Sequence, residues 1–208
     1  MTPTGPLEEA AAAALRGELI VLPTDTVYGI GTRPDDGVAT ARVFEAKRRP
    51  GRLELPILVA APDAARTVAA FDERADRLAA ACWPGALTLV LPRGGGSAGW
   101  ELGGDPATVG VRMPAHPLAL AVLARTGPLA VTSANRSGEP PARTCEELRG
   151  TFGDAVAVYL CDDEPLEGTA STVLDLVHEP ARILRAGSIE RQRLVELLGQ
   201  ELDSPTSR

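Results

Sequence analysis

Aromatic side chains are scarce here: three Phe, two Tyr and two Trp among 208 residues. The core must therefore be mainly aliphatic. Cysteine is rarer still. Cys82, Cys145 and Cys161 lie far apart with no Cys-x-x-Cys spacing. That argues against zinc and against a disulfide framework, and fits a reducing compartment. No apolar run approaches the roughly 18 residues of a membrane span. No basic segment followed by an apolar stretch opens the chain, so no signal peptide is expected. A cytoplasmic protein without membrane contact follows. Excess positive charge is missing as well: the formal net charge is -7. A dedicated nucleic-acid binder needs a broad basic face, so that class is disfavoured, whereas a local basic pocket for a small anion is not. His116 and His178 stand in turn-like, proline-rich contexts, outside any Ser/His/Asp or His-Glu-x-x-His pattern. Both read as structural. Covalent catalysis and a resident metal site lack support.

What is present suits one soluble α/β domain. Hydrophobic residues make up 44% and charged residues 24% of the chain, ordinary values for a globular protein. Periodicity predicts helices over 6–16, 38–48, 64–81 (broken near Phe71-Asp72), 118–125, 145–152 and 189–200. Short apolar runs predict strands over 19–22, 55–60, 86–91, 108–113, 129–132 and 155–160. Two more strands, 171–177 and 181–184, flank a His-Glu-Pro turn. Helices and strands alternate irregularly, which points to a mixed sheet. Gly94-Gly95-Gly96-Ser97 reads as a flexible loop. Residues 199–208 read as a disordered tail after a domain spanning 7–198.

Four clusters could carry chemistry. In LPTDTVYGIG (22–31) a strand end is followed by Thr24, Asp25 and Thr26, then Gly29 and Gly31. The glycines would permit close backbone approach or positive φ, and the alternative is a turn with a capping Asp. No Gly-Lys-Ser/Thr follows, so this is not a P-loop. Lys47, Arg48, Arg49 and Arg52 gather at a helix end. Some of that charge suits the helix dipole, and the rest would suit a polyphosphate. Arg112 lies within the apolar strand TVGVRMP (108–114), either paired with a carboxylate or clamping an anion. Ser171 and Thr172 open STVLDL (171–176), and Arg185 ends the next strand; Asp175 reads as an exposed strand residue. TSANRSG (132–138) follows an apolar strand and sets Ser133 and Asn135 two apart, at the kind of strand end where α/β proteins build sites. Ser, Asn and Gly also make ordinary turns.

The order of PTDTVYGIG, KRRP, WPGALTLVL, TVGVRMP, TSANRSG, STVLDL and ILRAG resembles the YrdC-type threonylcarbamoyl-AMP synthases, from about Leu7 to Leu198. The resemblance implies a twisted mixed sheet with flanking helices around a deep positively charged cavity. It implies a nucleotidyltransferase that makes threonylcarbamoyl-AMP and pyrophosphate from ATP, L-threonine and bicarbonate, with Mg2+ arriving on ATP. A downstream threonylcarbamoyl transferase complex would modify tRNA, and weak tRNA or double-stranded RNA contact is possible. Carried over residue by residue, the catalytic signature falls on Lys47, Arg49, Ser133 and Asn135. The threonine side falls on Thr26, Arg112, Ser133 and Ser171. The nucleotide side falls on Lys47, Arg49, Thr108, Asn135, Thr144 and Arg185. After KRRP this chain departs from the family pattern: it runs two residues longer, with Leu55 where the family has Asn and Ala60 where it has His. Two rival readings stay open, an RNA-binding or ribosome-maturation module and a carbamoyl-adenylate enzyme with another acceptor.

Overall fold

The computed structural model describes residues 5–48, 53–162, 164–166 and 168–203. Helix α1 (Pro6–Leu15) leads into strands β1 (Ile20–Leu22) and β2 (Gly29–Thr32), then helix α2 (Gly37–Lys47). Strand β3 (Ile57–Leu58), helices α3 (Pro62–Val68) and α4 (Glu73–Cys82), and strands β4 (Leu87–Pro92) and β5 (Thr108–Arg112) follow. Helix α5 (Pro117–Thr126), strand β6 (Leu129–Ser133), helix α6 (Cys145–Phe152) and strand β7 (Val158–Tyr159) lead to β8 (Thr172–Asp175), β9 (Arg182–Arg185) and helix α7 (Arg191–Leu198). Local chemistry sets these boundaries. Pro6, Pro62 and Pro117 open α1, α3 and α5, where a missing N–H costs nothing. The Asp36 carboxylate caps α2 by accepting from Val38 and Ala39, and Asp72 caps α4 at Ala75.

The strands form one mixed sheet in the order β7-β1-β2-β6-β3-β5-β4-β8-β9. Its two faces are unequal. Leu87, Leu89 and Leu91 of β4, Val109 and Val111 of β5 and Leu174 of β8 enter a large core with residues of α2, α3, α4, α6 and α7. On the opposite face α1 and α5 cover Ile20, Leu22, Leu129, Val131 and Val158, making a smaller core. The expectation of a single α/β domain with a mixed sheet and flanking helices holds.

Several sequence expectations need correction. Strand β2 lies inside a segment read as a glycine loop. Its glycines serve packing: a Cβ at Gly31 would stand 2.3 Å from the Ala130 carbonyl oxygen, and one at Gly29 would stand 2.5 Å from the Val131 side chain. Neither has positive φ. Gly94–Ser97 is a built turn, with Ser97 buried and its hydroxyl donating to the Val68 carbonyl at 2.6 Å. Cys145 and Cys161 meet in a disulfide with Cα atoms 5.9 Å apart, because α6 starts beside the end of β7; wide spacing in sequence concealed this. Asp175 is buried, not exposed. Its carboxylate accepts from Val177 N–H, Arg182 and His178, the last two at 2.9 and 2.8 Å. Leu202 is buried and Asp203 N–H bonds the Ala181 carbonyl, so 199–203 pack against the sheet.

Gly31→Ala should destabilise the protein by about 1–3 kcal/mol through this overpacking. The urea midpoint should fall with an unchanged denaturant slope.

Candidate functional site

Where the sheet is left uncovered between α5 and β9, a cavity of about 310 Å³ opens. Strand alternation decides what enters it. Core residues on β4, β5 and β8 are flanked by Thr88 and Val90, Gly110 and Arg112, and Ser171 and Val173, which face the cavity. Thr24, Thr26, Tyr28, Glu54, Thr132, Ser133 and Arg185 complete its polar lining.

Arg112 dominates this lining. It is buried, and burial pulls its guanidinium below the ordinary value while Asp25 beside it pulls the other way. Its geometry is fixed at three points: Nε donates to the Gly85 carbonyl at 2.9 Å, Nη2 to Asp25 at 2.6 Å and Nη1 to the Thr26 hydroxyl at 2.9 Å. Asp25 also accepts from Ala115 N–H. The carboxylate read as a possible turn cap is therefore the counter-ion of the buried arginine. No local signal joins the two, which lie 87 residues apart in sequence.

Arg185 is tied to Ser171 through the backbone carbonyl at 3.0 and 2.9 Å and the hydroxyl at 2.9 Å. The Ser171 hydroxyl also meets Thr88 at 3.0 Å. Gly187 makes this approach possible, since a Cβ there would lie 2.2 Å from the Ala170 carbonyl oxygen.

The remaining candidates lie elsewhere. Lys47 is buried behind Ser133, not in the lining; its ammonium donates to the Ser133 carbonyl, to the Asn135 carbonyl at 2.6 Å and to Asn135 Oδ1 at 3.3 Å. That orientation does not suit the direct phosphate contact expected of it. Asn135 Oδ1 also accepts from the Ser133 hydroxyl at 2.6 Å. Thr108 opens β5, with its carbonyl accepting from Arg93. Thr144 is the N-cap of α6, accepting from Glu147 N–H, and stands outside the cavity lining. Arg49 lies outside the described residues, as do Pro50, Gly51 and Arg52. His116 contacts Asp162 at 2.8 Å. Among the described residues no cluster of His, Cys, Asp and Glu is arranged to hold a metal ion.

Glu54 was missed. The neighbouring Leu55 goes into the core and bonds the Leu102 carbonyl, which turns Glu54 toward the cavity. Burial pushes its carboxyl up to about 7, against the opposing pull of Arg93 and the Gly110 amide.

A mixed α/β sheet with a half-open face, and a fixed guanidinium among hydroxyls in the opening, defines a protein built to position small polar anions. The Sua5/YciO/YrdC family model, described as telomere recombination, matches residues 12–187. The chain belongs to that family. A Mycobacterium tuberculosis protein provisionally named threonylcarbamoyl-AMP synthase is 42% identical over 94% of this chain and 90% of its own. The threonylcarbamoyl-AMP synthase of Pyrococcus abyssi is 36% identical over 92% of this chain and 56% of its own. The crystal structure of P. abyssi Sua5 complexed with L-threonine superposes with a TM-score of 0.83 at 34% identity, covering 93% of this chain and 57% of that one. No helix among the described residues is long and apolar enough to cross a membrane.

Glu54 makes a signed pH prediction. Its folded value, about 7, exceeds its ordinary 4.5. The folded state therefore binds the proton more tightly than the unfolded chain, and this group's contribution to stability falls as pH rises between those values. Glu54→Gln should melt with wild type near pH 4 and above it near pH 8. A variant less stable than wild type at the alkaline end would show that the charged carboxylate supports the fold.

Proposed function

We propose that the chain is a threonylcarbamoyl-AMP synthase, a nucleotidyltransferase that consumes L-threonine, bicarbonate or CO2, and ATP. The observation that carries this reading is the immobilised Arg112. Asp25 and the Gly85 carbonyl hold a buried guanidinium beside Thr26 and within the same cavity as Ser133 and Ser171. Such a fork matches a carboxylate, and the hydroxyls suit the polar groups an amino acid carries next to it. The names of the related proteins above support the same substrate.

In this reading threonine's amine and bicarbonate give a carbamate and water. A carbamate oxygen then attacks the α-phosphorus of ATP, and pyrophosphate leaves. The protein contributes orientation and charge stabilisation more than acid–base groups. Arg185, at the cavity edge, is placed to meet phosphate charge, with Arg49 expected to join it. Mg2+ would arrive on the nucleotide, since Asp25 is already committed to Arg112. The product would pass to a threonylcarbamoyl transferase complex that modifies tRNA, which places the protein in the cytoplasm. The Cys145–Cys161 bridge means that cysteine usage does not point to that compartment; ATP and tRNA do.

Pyrophosphate release from ATP tests the reading, with threonine and bicarbonate added singly and together. Release that requires both is expected; none with both present would reject it. Arg112→Lys keeps the charge and loses the fork. It should raise the KM for threonine at least about tenfold. An unchanged KM would remove Arg112 from the threonine site.

A further inference from the structure

A strap of chain runs past the cavity. Strand β7 is one edge of the sheet, and β8 lies beside the opposite edge strand, β9. Residues 160–171 cover that distance, with no helix or strand among the described residues of the stretch. The strap meets the cavity wall on its way. Gly168 packs so closely on Thr26 that a Cβ there would lie 1.8 Å from the Thr26 carbonyl oxygen. At the strap's far end Ala170 and Ser171 line the cavity with Thr26. Leu166 and Gly168 also wall a side cleft shared with Pro141 and Arg143, and Val27 belongs to both openings.

The near end of the strap is fastened in two ways. Hydrogen bonds are the first. Asp162 N–H donates to the Tyr28 hydroxyl at 3.0 Å, the Asp162 carboxylate meets His116 at 2.8 Å, and Leu166 N–H donates to the Arg143 carbonyl at 3.0 Å. The second is the Cys145–Cys161 bridge. Cys145 opens α6, which Leu148 and Phe152 anchor in the large core. The bridge therefore ties the strap to a fixed helix, and redox conditions can remove it. Both cysteines are half-buried, so a small dithiol can reach the bond. Cytoplasmic disulfides are mostly transient, catalytic or redox-sensing.

We infer that Cys145 and Cys161 form a reversible dithiol–disulfide switch, which fastens the 160–171 strap against the cavity wall when oxidised and loosens it when reduced. The cytoplasmic setting rests on the proposed function; the fastening itself does not. In reduction a thiolate of a dithiol attacks one sulfur of the bridge, and the other cysteine leaves as a thiolate. The dithiol's second sulfur then attacks its first and releases the remaining cysteine. Two electrons pass to the bridge, two protons end on the cysteine sulfurs, and the dithiol departs as a disulfide. A disulfide oxidant runs the same exchange backwards. The loosened strap would support Thr26 and Ser171 for a smaller share of the time, which weakens substrate binding in proportion.

The test equilibrates the protein with reduced or oxidised dithiothreitol. Alkylation in denaturant, read by mass, should find Cys82 alone as a free thiol after oxidation and all three cysteines free after reduction. Hydrogen exchange then reads the strap. Reduction should speed exchange within 161–171 and at Thr26 at least about tenfold, with β4 and β5 unchanged. The KM for threonine in pyrophosphate release should rise about fivefold, as when the fastened form falls to about one-fifth, with kcat within twofold. Reoxidation should restore both. Cys145→Ser combined with Cys161→Ser should behave as reduced protein in either buffer, and Cys82→Ser should switch like wild type. A bridge that does not form in the oxidised buffer would overturn the inference. So would strap exchange or a KM that ignores the redox state. Loss of protection in β4 and β5 on reduction would also overturn it, by making the bridge a staple of the whole fold. If neither state releases pyrophosphate, the proposed function falls, and strap exchange alone decides the switch.

Discussion

The buried charge of Arg112 is the constraint around which the open half of the sheet is organised. A guanidinium taken out of water is tolerated when its donors are matched and a counter-ion is close. Asp25, the Gly85 carbonyl and Thr26 meet that requirement from two separate segments. Each is thereby fixed relative to β5. The LPTDT segment cannot drift without leaving Arg112 unpaired, and so the end of β1 and the floor of the cavity are held as one unit. The cavity exists because α1 and α5 cover only part of that face. Period-two alternation then sends Gly110 and Arg112 into the opening while Val109 and Val111 go into the core.

A second buried cation does comparable work on the neighbouring wall. Lys47 ends α2, where a cation suits the helix dipole. Its ammonium faces carbonyl oxygens of the Ser133–Asn135 loop. The two cations therefore differ in kind. Arg112 lies in the cavity lining beside its counter-ion, whereas Lys47 is spent behind the lining, shaping the loop that follows β6. Arg serves the first purpose because a planar fork keeps spare donors when partly paired. Lys serves the second because a compact ammonium fits among carbonyls.

The sequence revealed the elements that rest on hydrophobic pattern: α4 and its break at Phe71-Asp72, the apolar run of β4, and helix α6 with its boundaries. It hid β2, because Gly29 and Gly31 carry no side chain from which a strand period could be read. They are glycines because β6 fills the space their Cβ atoms would take, with the Val131 side chain at Gly29 and the Ala130 carbonyl at Gly31. The cavity hydroxyls Thr26, Ser133 and Ser171 were legible as polar residues at strand ends. Their hydrogen bonding was not, since the Ser171–Thr88 and Thr26–Arg112 contacts join residues that only the fold brings together. The Asp25–Arg112 pair spans 87 residues, and Cys145–Cys161 joins two elements that no local pattern connects. Long-range pairs of this kind are decided by sheet order.

The departure after KRRP is informative for a physical reason. Where the resemblance led one to look at Leu55, the fold buries Leu55 and presents Glu54. A carboxylate in a cavity meant for anions is unfavourable when ionised, and its burial already raises it to about 7. A polyphosphate nearby would raise it further, since like charges disfavour the ionised form. In the proposed reaction, phosphate charge beside Glu54 would favour its protonated form. A neutral carboxyl can donate a hydrogen bond to a phosphate or ribose oxygen, where a carboxylate could only repel it. The same side chain would then oppose anions in the empty cavity and assist them in the filled one, and nucleotide binding would be accompanied by proton uptake near neutral pH.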